Sequence, residues 1–273
     1  MSNNPNVPAK VVLVAGAASG MGYASACLFA ARGWKVLATY RTPESAGDLL
    51  RLAQESPDVA AFRCDVTQDA DCRAAAADAV ARHGRLDVLV HCAGTSRPVP
   101  LADLDGLTAQ DFHDTTAVNV VGPFQMARAC AQALRASGDG AVVIVGSYGG
   151  IVGGGASIAY AASKGAVHTL TLSLAQVLAP EVRVNAIAPA LTEGGYIQRV
   201  KPAAFEARRQ HQIATAPLRK VGRPDDVART IFAIVNDAPL MTGEIVRLDC
   251  GLHIASTGTG VGHGTAGAPA RTK

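Results

Sequence analysis

Seven short apolar runs, rich in β-branched residues, alternate with longer segments of helical character through most of the chain. The runs occupy residues 10–15, 35–39, 59–63, 86–90, 141–145, 182–187 and 245–248. Continuous apolar runs of this length are typical of parallel strands that are buried on both faces, and the helices between them supply the crossover connections. The pattern therefore predicts an α/β fold, a doubly wound parallel seven-stranded sheet with helices on both faces.

The composition agrees with such a sheet and indicates the extent of the domain. Of the 273 residues, 49% are apolar but only 4% are aromatic, so the core must be built from Ala, Val, Leu and Ile. This length suits one large α/β domain. We expect the domain to span 10–251, after an N-terminal extension at 1–9 and before a Gly/Thr/Ala-rich tail at 252–273. Such a tail is flexible, or it orders against a neighbouring subunit.

Charge and cysteine usage disfavour several functional classes. The net charge of +3 is too small and dispersed to indicate a nucleic-acid partner. The six cysteines form no C-x-x-C pair, which disfavours a metal site or a disulfide framework and indicates reduced thiols in a cytoplasm. The first residues contain no apolar signal region, and glycines interrupt the uncharged stretch between Asp139 and Lys164, so we expect neither a secretory leader nor a membrane span.

A glycine-rich turn, Gly16-x-x-x-Gly20-x-Gly22, joins the first apolar run to the helical segment that follows it. Glycines let the backbone approach a pyrophosphate, and free N–H groups at a helix N-terminus favour an anion. Because open parallel sheets bind ligands at the carboxyl ends of their strands, a dinucleotide cofactor is the favoured interpretation. The alternative is a tight turn that only packs the helix on the sheet, since the spacing differs from Gly-x-Gly-x-x-Gly.

The end of the second strand bears on which dinucleotide binds. An NAD site places an acidic residue about 20 residues after the glycine turn, and here Tyr40 and Arg41 occupy that place. An arginine can bind a 2′-phosphate through two hydrogen bonds, so NADP is favoured over NAD. The alternative is that Arg41 is an ordinary solvated charge. Beyond the third strand, Asp65 either accepts from an adenine amine or caps the helix that starts near Gln68.

Three side chains near the fifth strand suggest proton chemistry. Ser147 follows that strand, and Tyr160 and Lys164 are four residues apart in a helical segment, so they share a face. An ammonium near a phenol lowers the pKa of the tyrosine, which then exchanges a proton with an alcohol oxygen near neutral pH. A serine hydroxyl can hydrogen-bond the same oxygen. On these residues alone, an exposed helical pair and a capping serine are the competing interpretation.

The helical region 108–135 contains Asn119 and Pro123, and Pro123 is expected to bend it. Asn119 then either holds a water through freed backbone groups or satisfies the bend itself. Before this region, Gly94 gives the backbone room beside a cofactor. His91 is expected to support the same turn rather than to ligate a metal or catalyse.

The region 190–217 combines Gly, Pro and scattered charges without a regular pattern. A long loop at the carboxyl edge of a sheet is typical of a lid over the substrate. Tyr148, Tyr196 and Phe205 are candidates to line the substrate site, or only to pack the lid down. The helical segment 165–178 has almost no charge, so we expect a subunit interface along it.

Taken in order, these motifs resemble the short-chain dehydrogenase/reductase family in its single-domain form, and within it the reductases of 3-oxoacyl groups on a carrier protein. The resemblance covers about residues 10–251. Ala15 precedes the glycine turn where the family has Thr, and 91–94 reads His-Cys-Ala-Gly for the family's Asn-Asn-Ala-Gly. Ser147 lies thirteen residues before Tyr160, as in the family's catalytic Ser, Tyr and Lys. The stretches 183–189 and 249–251 resemble two further family motifs.

The resemblance implies a Rossmann-type fold and a role for each matching residue. Tyr160 is implied to be the general acid for ketone reduction and the base for alcohol oxidation. Lys164 is implied to lower the pKa of Tyr160 and to bind the nicotinamide ribose. Ser147 is implied to position the substrate oxygen, and Asn119 to hold a water in a proton relay. Tetramers are common in the family, so a homotetramer, or else a homodimer, is expected.

The cofactor contacts that follow from the glycine turn and the resemblance are spread over the whole sheet edge. They are Gly16, Ser19, Gly20, Met21, Gly22, Tyr40, Arg41, Asp65, Val66, Cys92, Ala93, Gly94, Tyr160, Lys164, Pro189 and Thr192. The family often has a threonine five residues after the proline, where this chain has Gly194. Thr192 takes that role with a shifted loop, or backbone groups serve instead.

The sequence thus predicts an NAD(P)-dependent oxidoreductase that interconverts a ketone and a secondary alcohol, with NADPH-dependent reduction favoured and no metal. The substrate is expected to be a small to medium, partly apolar ketone or alcohol. The first alternative is an NAD-dependent alcohol dehydrogenase of the same family. The second is a dinucleotide-binding regulator without turnover.

Overall fold

One sheet of seven parallel strands forms the centre of the computed structural model, which describes residues 8–255 apart from the side chains of residues 196 and 197. The strands are β1 Val11–Ala15, β2 Lys35–Tyr40, β3 Val59–Arg63, β4 Val88–His91, β5 Gly140–Val145, β6 Val182–Pro189 and β7 Ile245–Leu248. Their order across the sheet is β3-β2-β1-β4-β5-β6-β7. The predicted doubly wound parallel sheet is confirmed, and its winding reverses between β1 and β4, where open sheets bind ligands.

Ten α-helices are present within residues 8–255. They are α1 Gly20–Ala31, α2 Gly47–Glu55, α3 Asp69–His83, α4 Ala109–Thr116, α5 Gly122–Ala136, α6 Gly149–Val152, α7 Ile158–Leu178, α8 Tyr196–Val200, α9 Pro202–Thr215 and α10 Pro224–Asp237. None of these helices has the length and apolar character needed to cross a membrane.

The core consists of two apolar layers, one on each face of the sheet. Alternate side chains of β1 enter opposite layers, so Leu13 packs in the layer that contains Met126 of α5. Val12 packs in the other layer, with Phe29 of α1 and Ile231 of α10. Burial on both faces explains why the strands have continuous apolar sequences rather than alternating ones.

One bound of each of two strands differs by two residues from the predicted one. β4 begins at Val88 rather than Leu86, because Asp87 forms a connector in which its carboxylate accepts from the Val11 N–H at 2.7 Å. β6 continues to Pro189, which pairs with Leu248 of β7. The extension carries the chain directly to the sheet edge where the cavity opens.

The helical region 108–135 is interrupted just before Pro123. A π-helical turn, Ala117–Val121, separates α4 from α5. Pro123 has no N–H to donate to the carbonyl of Asn119 four residues earlier, so regular α-helical bonding cannot continue through this point. The predicted irregularity is therefore present, and Asn119 lies inside it.

The region 190–217 is mostly helical, and the prediction of a long loop was wrong. Helix α9 packs through a narrow inner face on which Phe205 and Gln212 are buried two turns apart. The Gln212 carboxamide accepts from the Leu191 N–H at 3.2 Å and donates to the Lys220 carbonyl at 3.0 Å. Two anchors on an otherwise polar helix are too few to give a clear apolar period in the sequence.

The expected extension at 1–9 and tail at 252–273 lie mostly outside the described residues, so these boundaries stay predictions. Inside the described range, Leu252–Ile254 forms a turn of 3₁₀ helix.

Candidate active site

A cavity of about 1190 Å³ opens at the carboxyl ends of the strands. It is larger than the roughly 300–1,000 Å³ of a site for one small ligand, which leaves room for a dinucleotide and a substrate together. Every residue predicted to contact the cofactor lines it: Gly16, Ser19, Gly20, Met21, Gly22, Tyr40, Arg41, Asp65, Val66, Cys92, Ala93, Gly94, Tyr160, Lys164, Pro189 and Thr192. Ser147 and Tyr148 also line it.

The glycine turn is shaped by close backbone packing. Gly16 has φ +78°, and a Cβ there would lie 2.5 Å from the Ala93 nitrogen. A Cβ at Gly22 would lie 2.2 Å from the Gly16 carbonyl oxygen. Helix α1 begins just beyond, and its N-cap Ser19 makes no side-chain bond to the helix, so its first amides stay available to an anion. The backbone fits a dinucleotide pyrophosphate.

The end of β2 presents a cation to the same cavity. Arg41 is exposed on the cavity wall, and within residues 8–255 no carboxylate lies within 4.0 Å of it. Nearby, the Asp65 carboxylate accepts from the N–H and the hydroxyl of Thr67, at 3.0 and 2.8 Å. The N-cap of α3 is Gln68, so Asp65 lies one turn ahead of the cap position that we had weighed for it.

Ser147, Tyr160 and Lys164 meet where β5 and α7 approach the cavity. The Ser147 hydroxyl accepts from the Gly149 N–H at 3.1 Å, and α7 is capped by Ser157, which accepts from the Tyr160 N–H at 3.3 Å. Burial raises the pKa of Tyr160 above its usual value, and a hydrogen bond from Ser147 partly offsets this rise in pKa. Tyr160 is therefore held in its protonated form.

Lys164 is almost fully buried, and its ammonium donates to the Val145 carbonyl at 2.8 Å. Its Nζ lies 5.9 Å from the centre of the Tyr160 ring. Burial lowers the pKa of Lys164 to about 8. We expected this ammonium to lower the pKa of Tyr160, but burial of the phenol prevails and moves that pKa upward.

Asn119 does not line the cavity, and its side chain braces the loop that does. Its Oδ1 accepts from the Thr95 N–H at 2.8 Å, and its Nδ2 donates to the Thr95 carbonyl at 3.0 Å and to Ser163 Oγ at 2.9 Å. Ser163 in turn donates to the Tyr160 carbonyl at 2.7 Å. A Cβ on Gly94 would lie 3.4 Å from Asn119 Oδ1 and 3.6 Å from Lys164 Nζ. The side chain is thus committed to structure beside the lysine.

His91 and Cys92, which lie beside the cavity, are both held in the neutral form. His91 is fully buried, and burial followed by the charge of Lys164 lowers its pKa to about 3, so it stays neutral. Burial raises the pKa of Cys92 to about 12. Within the described residues, no group of three or more His, Cys, Asp or Glu side chains is arranged to hold a metal ion, and all six cysteines are free thiols.

The loop after β6 brings Thr192 to the cavity. Thr192 forms an isolated parallel bridge with Gly222, and its hydroxyl donates to the Ala190 carbonyl at 3.4 Å. Both Thr192 and Gly194 line the cavity, and Gly194 has φ +71°. The Gly194 N–H donates to Gln198 Oε1 at 2.7 Å and its carbonyl accepts from Arg199 at 3.0 Å, so of the two residues Thr192 is the better candidate to contact a nicotinamide.

Arg199 of α8 was not singled out from the sequence. Its Nη1 donates to Ser19 Oγ at 3.3 Å and to the Gly194 carbonyl at 3.0 Å, so it connects the region 190–217 to the glycine turn. In the sequence it is one of several scattered lid charges, and only its position across the cavity distinguishes it.

The predicted substrate-lining residues have different outcomes. Tyr148 lines the cavity. Phe205 does not: it is 4% exposed and packs beneath α9, because it is an anchor of that helix. The side chain of Tyr196 lies outside the described residues. Leu101, Val152, Gly155, Leu191, Arg208 and Leu252 also line the cavity, and Gly155 lies beside the Tyr160 ring.

This fold and cavity define a dinucleotide-binding oxidoreductase. The family profile described as "Enoyl-(Acyl carrier protein) reductase" matches residues 16–253. A protein of Streptomyces violaceoruber named as ketoacyl reductase 2 of the granaticin polyketide synthase is 39% identical over 246 residues, 90% of this chain and 97% of that protein.

Solved structures agree. One from Burkholderia xenovorans, described as a short-chain dehydrogenase/reductase, has a TM-score of 0.83 and 36% identity, covering 91% of this chain and 100% of that one. The structure "ElxO with NADP Bound" has a TM-score of 0.81 and 27% identity, covering 90% and 99%. The chain belongs to the short-chain dehydrogenase/reductase family. It is an oxidoreductase of carbonyl and CH–OH groups that uses a nicotinamide dinucleotide.

Proposed function

We propose that this enzyme reduces a ketone to a secondary alcohol with NADPH, and that Tyr160 is the general acid. The observation that carries the proposal is the convergence of Ser147, Tyr160 and Lys164 on one wall of a cavity that also contains the glycine turn. A phenol whose pKa is raised by burial keeps its proton at neutral pH. A protonated acid is what reduction of a carbonyl requires.

Each residue has a task around the carbonyl oxygen of the substrate. When bound, the reduced nicotinamide supplies the hydride for the carbonyl carbon. Tyr160 donates its proton to the oxygen, and the Ser147 hydroxyl hydrogen-bonds the same oxygen. With a pKa of about 8, Lys164 is mostly cationic at neutral pH and favours the phenolate that forms. The Asn119 side chain keeps the adjoining loop in place, and its backbone is the candidate to hold a relay water.

The preference for NADP rests on Arg41. Its guanidinium lies on the cavity wall at the end of β2, where an NAD site would have an acid. The NADP-bound structural relative gives independent support. An NAD-dependent alcohol dehydrogenase with the same tyrosine chemistry is the second candidate, and it would favour NADH in binding.

The assembly proposed is a homotetramer, with a homodimer as the alternative. The outer face of α7 is uncharged, and Leu172 on it is 45% exposed. On the neighbouring α5, Phe124 is 41% exposed. Six free thiols support a reducing compartment such as the cytoplasm.

The central test is Tyr160→Phe, measured both for turnover of a ketone panel and for NADPH binding by fluorescence titration. We expect kcat to fall by about 10²–10⁴-fold, the usual contribution of a general acid, while the Kd for NADPH changes little. Tyr23→Phe on α1 is the control, because this tyrosine lies outside the cavity. Unchanged turnover in Tyr160→Phe would refute the mechanism.

The same titration separates the remaining alternatives. Tight binding of NADH over NADPH supports the alcohol dehydrogenase and directs the assay to alcohol oxidation. Cofactor binding without hydride transfer to any carbonyl or enoyl substrate supports the regulator. The intact Tyr160, Ser147 and Lys164 argue against that last outcome.

A further inference from the structure

Helix α9 presents one cation to the substrate end of the cavity. Phe205, Arg208 and Gln212 lie three and four residues apart, so they share the inner face of the helix. Phe205 and Gln212 are buried anchors, and Arg208 between them lines the cavity. The helix backbone at Arg208 is therefore held between two anchors, and its exposed side chain extends to the cavity wall.

The guanidinium of Arg208 reaches the wall beside the catalytic tyrosine. Its Nη2 donates to the Gly155 carbonyl at 3.2 Å. A Cβ on Gly155 would lie 3.2 Å from Cδ1 of the Tyr160 ring, so this wall is in contact with the general acid. Arg208 and Tyr160 are thus both next to Gly155 on the cavity wall.

Arg208 differs from its neighbour Arg209 because, among residues 8–255, Arg209 forms ion pairs and Arg208 does not. Arg209 lies 3.1 Å from Glu206 and 3.8 Å from Glu193. In the part of the chain that the structure describes, no carboxylate lies within 4.0 Å of Arg208, and one carbonyl is its partner. Because only one neutral acceptor is bound within this part of the chain, most N–H groups of the Arg208 guanidinium are free to bind a ligand.

The cavity around this end carries a positive excess. Its carboxylates are Asp65, which is bonded to Thr67 at the adenosine end, and Glu193, which is near Arg209. His211, one turn beyond Arg208, also lines the cavity. Walls of low dielectric constant with one sign of charge attract an anion of the opposite sign.

Resting on the proposed ketone reduction, we propose that Arg208 binds a carboxylate of the substrate, so that the enzyme acts on keto acids and hydroxy acids whose carboxylate lies a few bonds from the reacting carbon. A guanidinium holds a carboxylate through two parallel hydrogen bonds, which fixes direction as well as distance. Hydride from the reduced nicotinamide joins the carbonyl carbon, the proton of Tyr160 joins the oxygen, and the carboxylate on Arg208 is unchanged.

The test compares 4-oxopentanoate with its methyl ester, in wild type, Arg208→Met and Arg208→Lys. We expect wild type to prefer the acid, and Arg208→Met to raise KM for the acid about 10- to 100-fold with little change in kcat and little change for the ester. Arg208→Lys should recover only part of the loss, since it keeps the charge without the fork. Arg209→Met removes the same charge from the same helix outside the cavity and should have no such effect.

A binding measurement keeps the test independent of turnover. Calorimetric titration of the Tyr160→Phe enzyme with 4-oxopentanoate, in the presence of NADPH, should show binding that Arg208→Met weakens by the same factor. If wild type turns over no ketone of the panel, the proposed function fails. If it reduces other ketones but neither 4-oxopentanoate nor its ester, the function stands and the carboxylate proposal is overturned. If the ester is reduced as well as the acid, the function stands and the carboxylate proposal is overturned.

Two further outcomes also overturn the proposal. An equal loss for acid and ester in Arg208→Met would mean that Arg208 only fastens the lid to Gly155. The other outcome concerns 3-oxoacyl thioesters. If Arg208→Met lowers kcat/KM for a 3-oxoacyl coenzyme A thioester, but not for the phosphate-free N-acetylcysteamine thioester or for the keto acid, the anion that Arg208 binds is a phosphate of the carrier.

Discussion

At the scale of single residues, Lys164 carries the titration most relevant to activity. Its side chain is 5% exposed, and burial alone brings the pKa down to about 8. The interaction with Cys92 acts in the opposite direction and offsets only part of this fall in the pKa. The lysine therefore changes charge within the pH range of ordinary assays, while the buried tyrosine stays protonated.

We expect kcat/KM for ketone reduction to be constant below pH 8 and to fall above it, approaching about tenfold per pH unit. The sign follows from the pKa of Lys164: below about 8 the ammonium is present to favour the developing phenolate, and above it the charge is lost. The measurement is a pH profile in the reductive direction. In Lys164→Met the rate should be low throughout and this step should vanish; a step that persists would belong to another group.

Arg41 allows the cofactor preference to be tested at one residue. Arg41→Ala should raise the Kd for NADPH about tenfold, the size of one charge-assisted phosphate contact, and leave the Kd for NADH unchanged. Fluorescence titration with both cofactors measures it. Arg51→Ala is the matched control, because Arg51 is exposed and pairs with Asp48 on α2, outside the cavity. Equal effects on both cofactors would make Arg41 a general surface charge.

At the scale of elements, the π turn explains why the side chain of Asn119 can hydrogen-bond to the loop after β4 from within a helical region. Pro123 prevents regular bonding at Asn119, and the widened turn directs the amide toward the loop after β4. Three hydrogen bonds of Asn119 then join the π turn, the loop at Thr95 and, through Ser163, helix α7. The loop after β4, which lines the cavity, is thereby tied to the helix that carries Tyr160.

Asn119→Ala should lower the free energy of unfolding by about 3 kcal/mol, because it leaves buried partners at Thr95 and Ser163 unsatisfied. Urea denaturation measures this loss. Asn236→Ala removes one local bond to the Phe232 carbonyl and should cost about 1 kcal/mol or less. An equal loss in the free energy of unfolding for the two variants would show that the hydrogen bonds of Asn119 contribute no more to stability than one local bond.

Much of the fold could be predicted because its strands are buried on both faces. Runs such as 141–145 have no other common explanation than a central parallel strand. The lid could not be predicted in the same way, since α9 is fixed by Phe205 and Gln212 alone among many charged residues. For the same reason Phe205 was placed at the substrate: a single aromatic residue does not reveal which side of its helix faces the cavity.

The site was predictable to the extent that its residues are defined by spacing along the chain. Ser147, Tyr160 and Lys164 have fixed positions relative to β5 and α7, so the sequence locates them together. Arg199 and Arg208 have no characteristic spacing in the sequence, because their positions depend on how α8 and α9 cross the sheet edge. The direction of the Tyr160 pKa was also inaccessible, since it depends on burial rather than on spacing.

At the scale of the whole molecule, the uncharged outer face of α7 and the neighbouring α5 leave apolar side chains in solvent. Phe124 and Leu172 are both more than two-fifths exposed. Exposed apolar residues on two helices that pack together are typical of a subunit contact. The proposed tetramer would cover them without obstructing the carboxyl edge of the sheet.

Leu172→Arg should therefore shift the protein from a tetramer to a smaller species in size-exclusion chromatography with light scattering, because a charge on this face lacks a partner in the interface. Val80→Arg introduces the same charge at an exposed apolar position on α3, and the tetramer should persist. A wild-type protein that elutes as a monomer would remove the basis of this prediction.

The anchoring of α9 has a consequence for how this molecule can diversify. The helix is joined to the body through Phe205, the carboxamide of Gln212 and a few contacts at its rim, while the sheet beneath is complete without it. Replacement of the exposed residues between those two anchors would leave hydride chemistry and cofactor choice intact. A few substitutions in the segment between Phe205 and Gln212 are therefore expected to change the substrate range, and each variant along the way should remain folded and active.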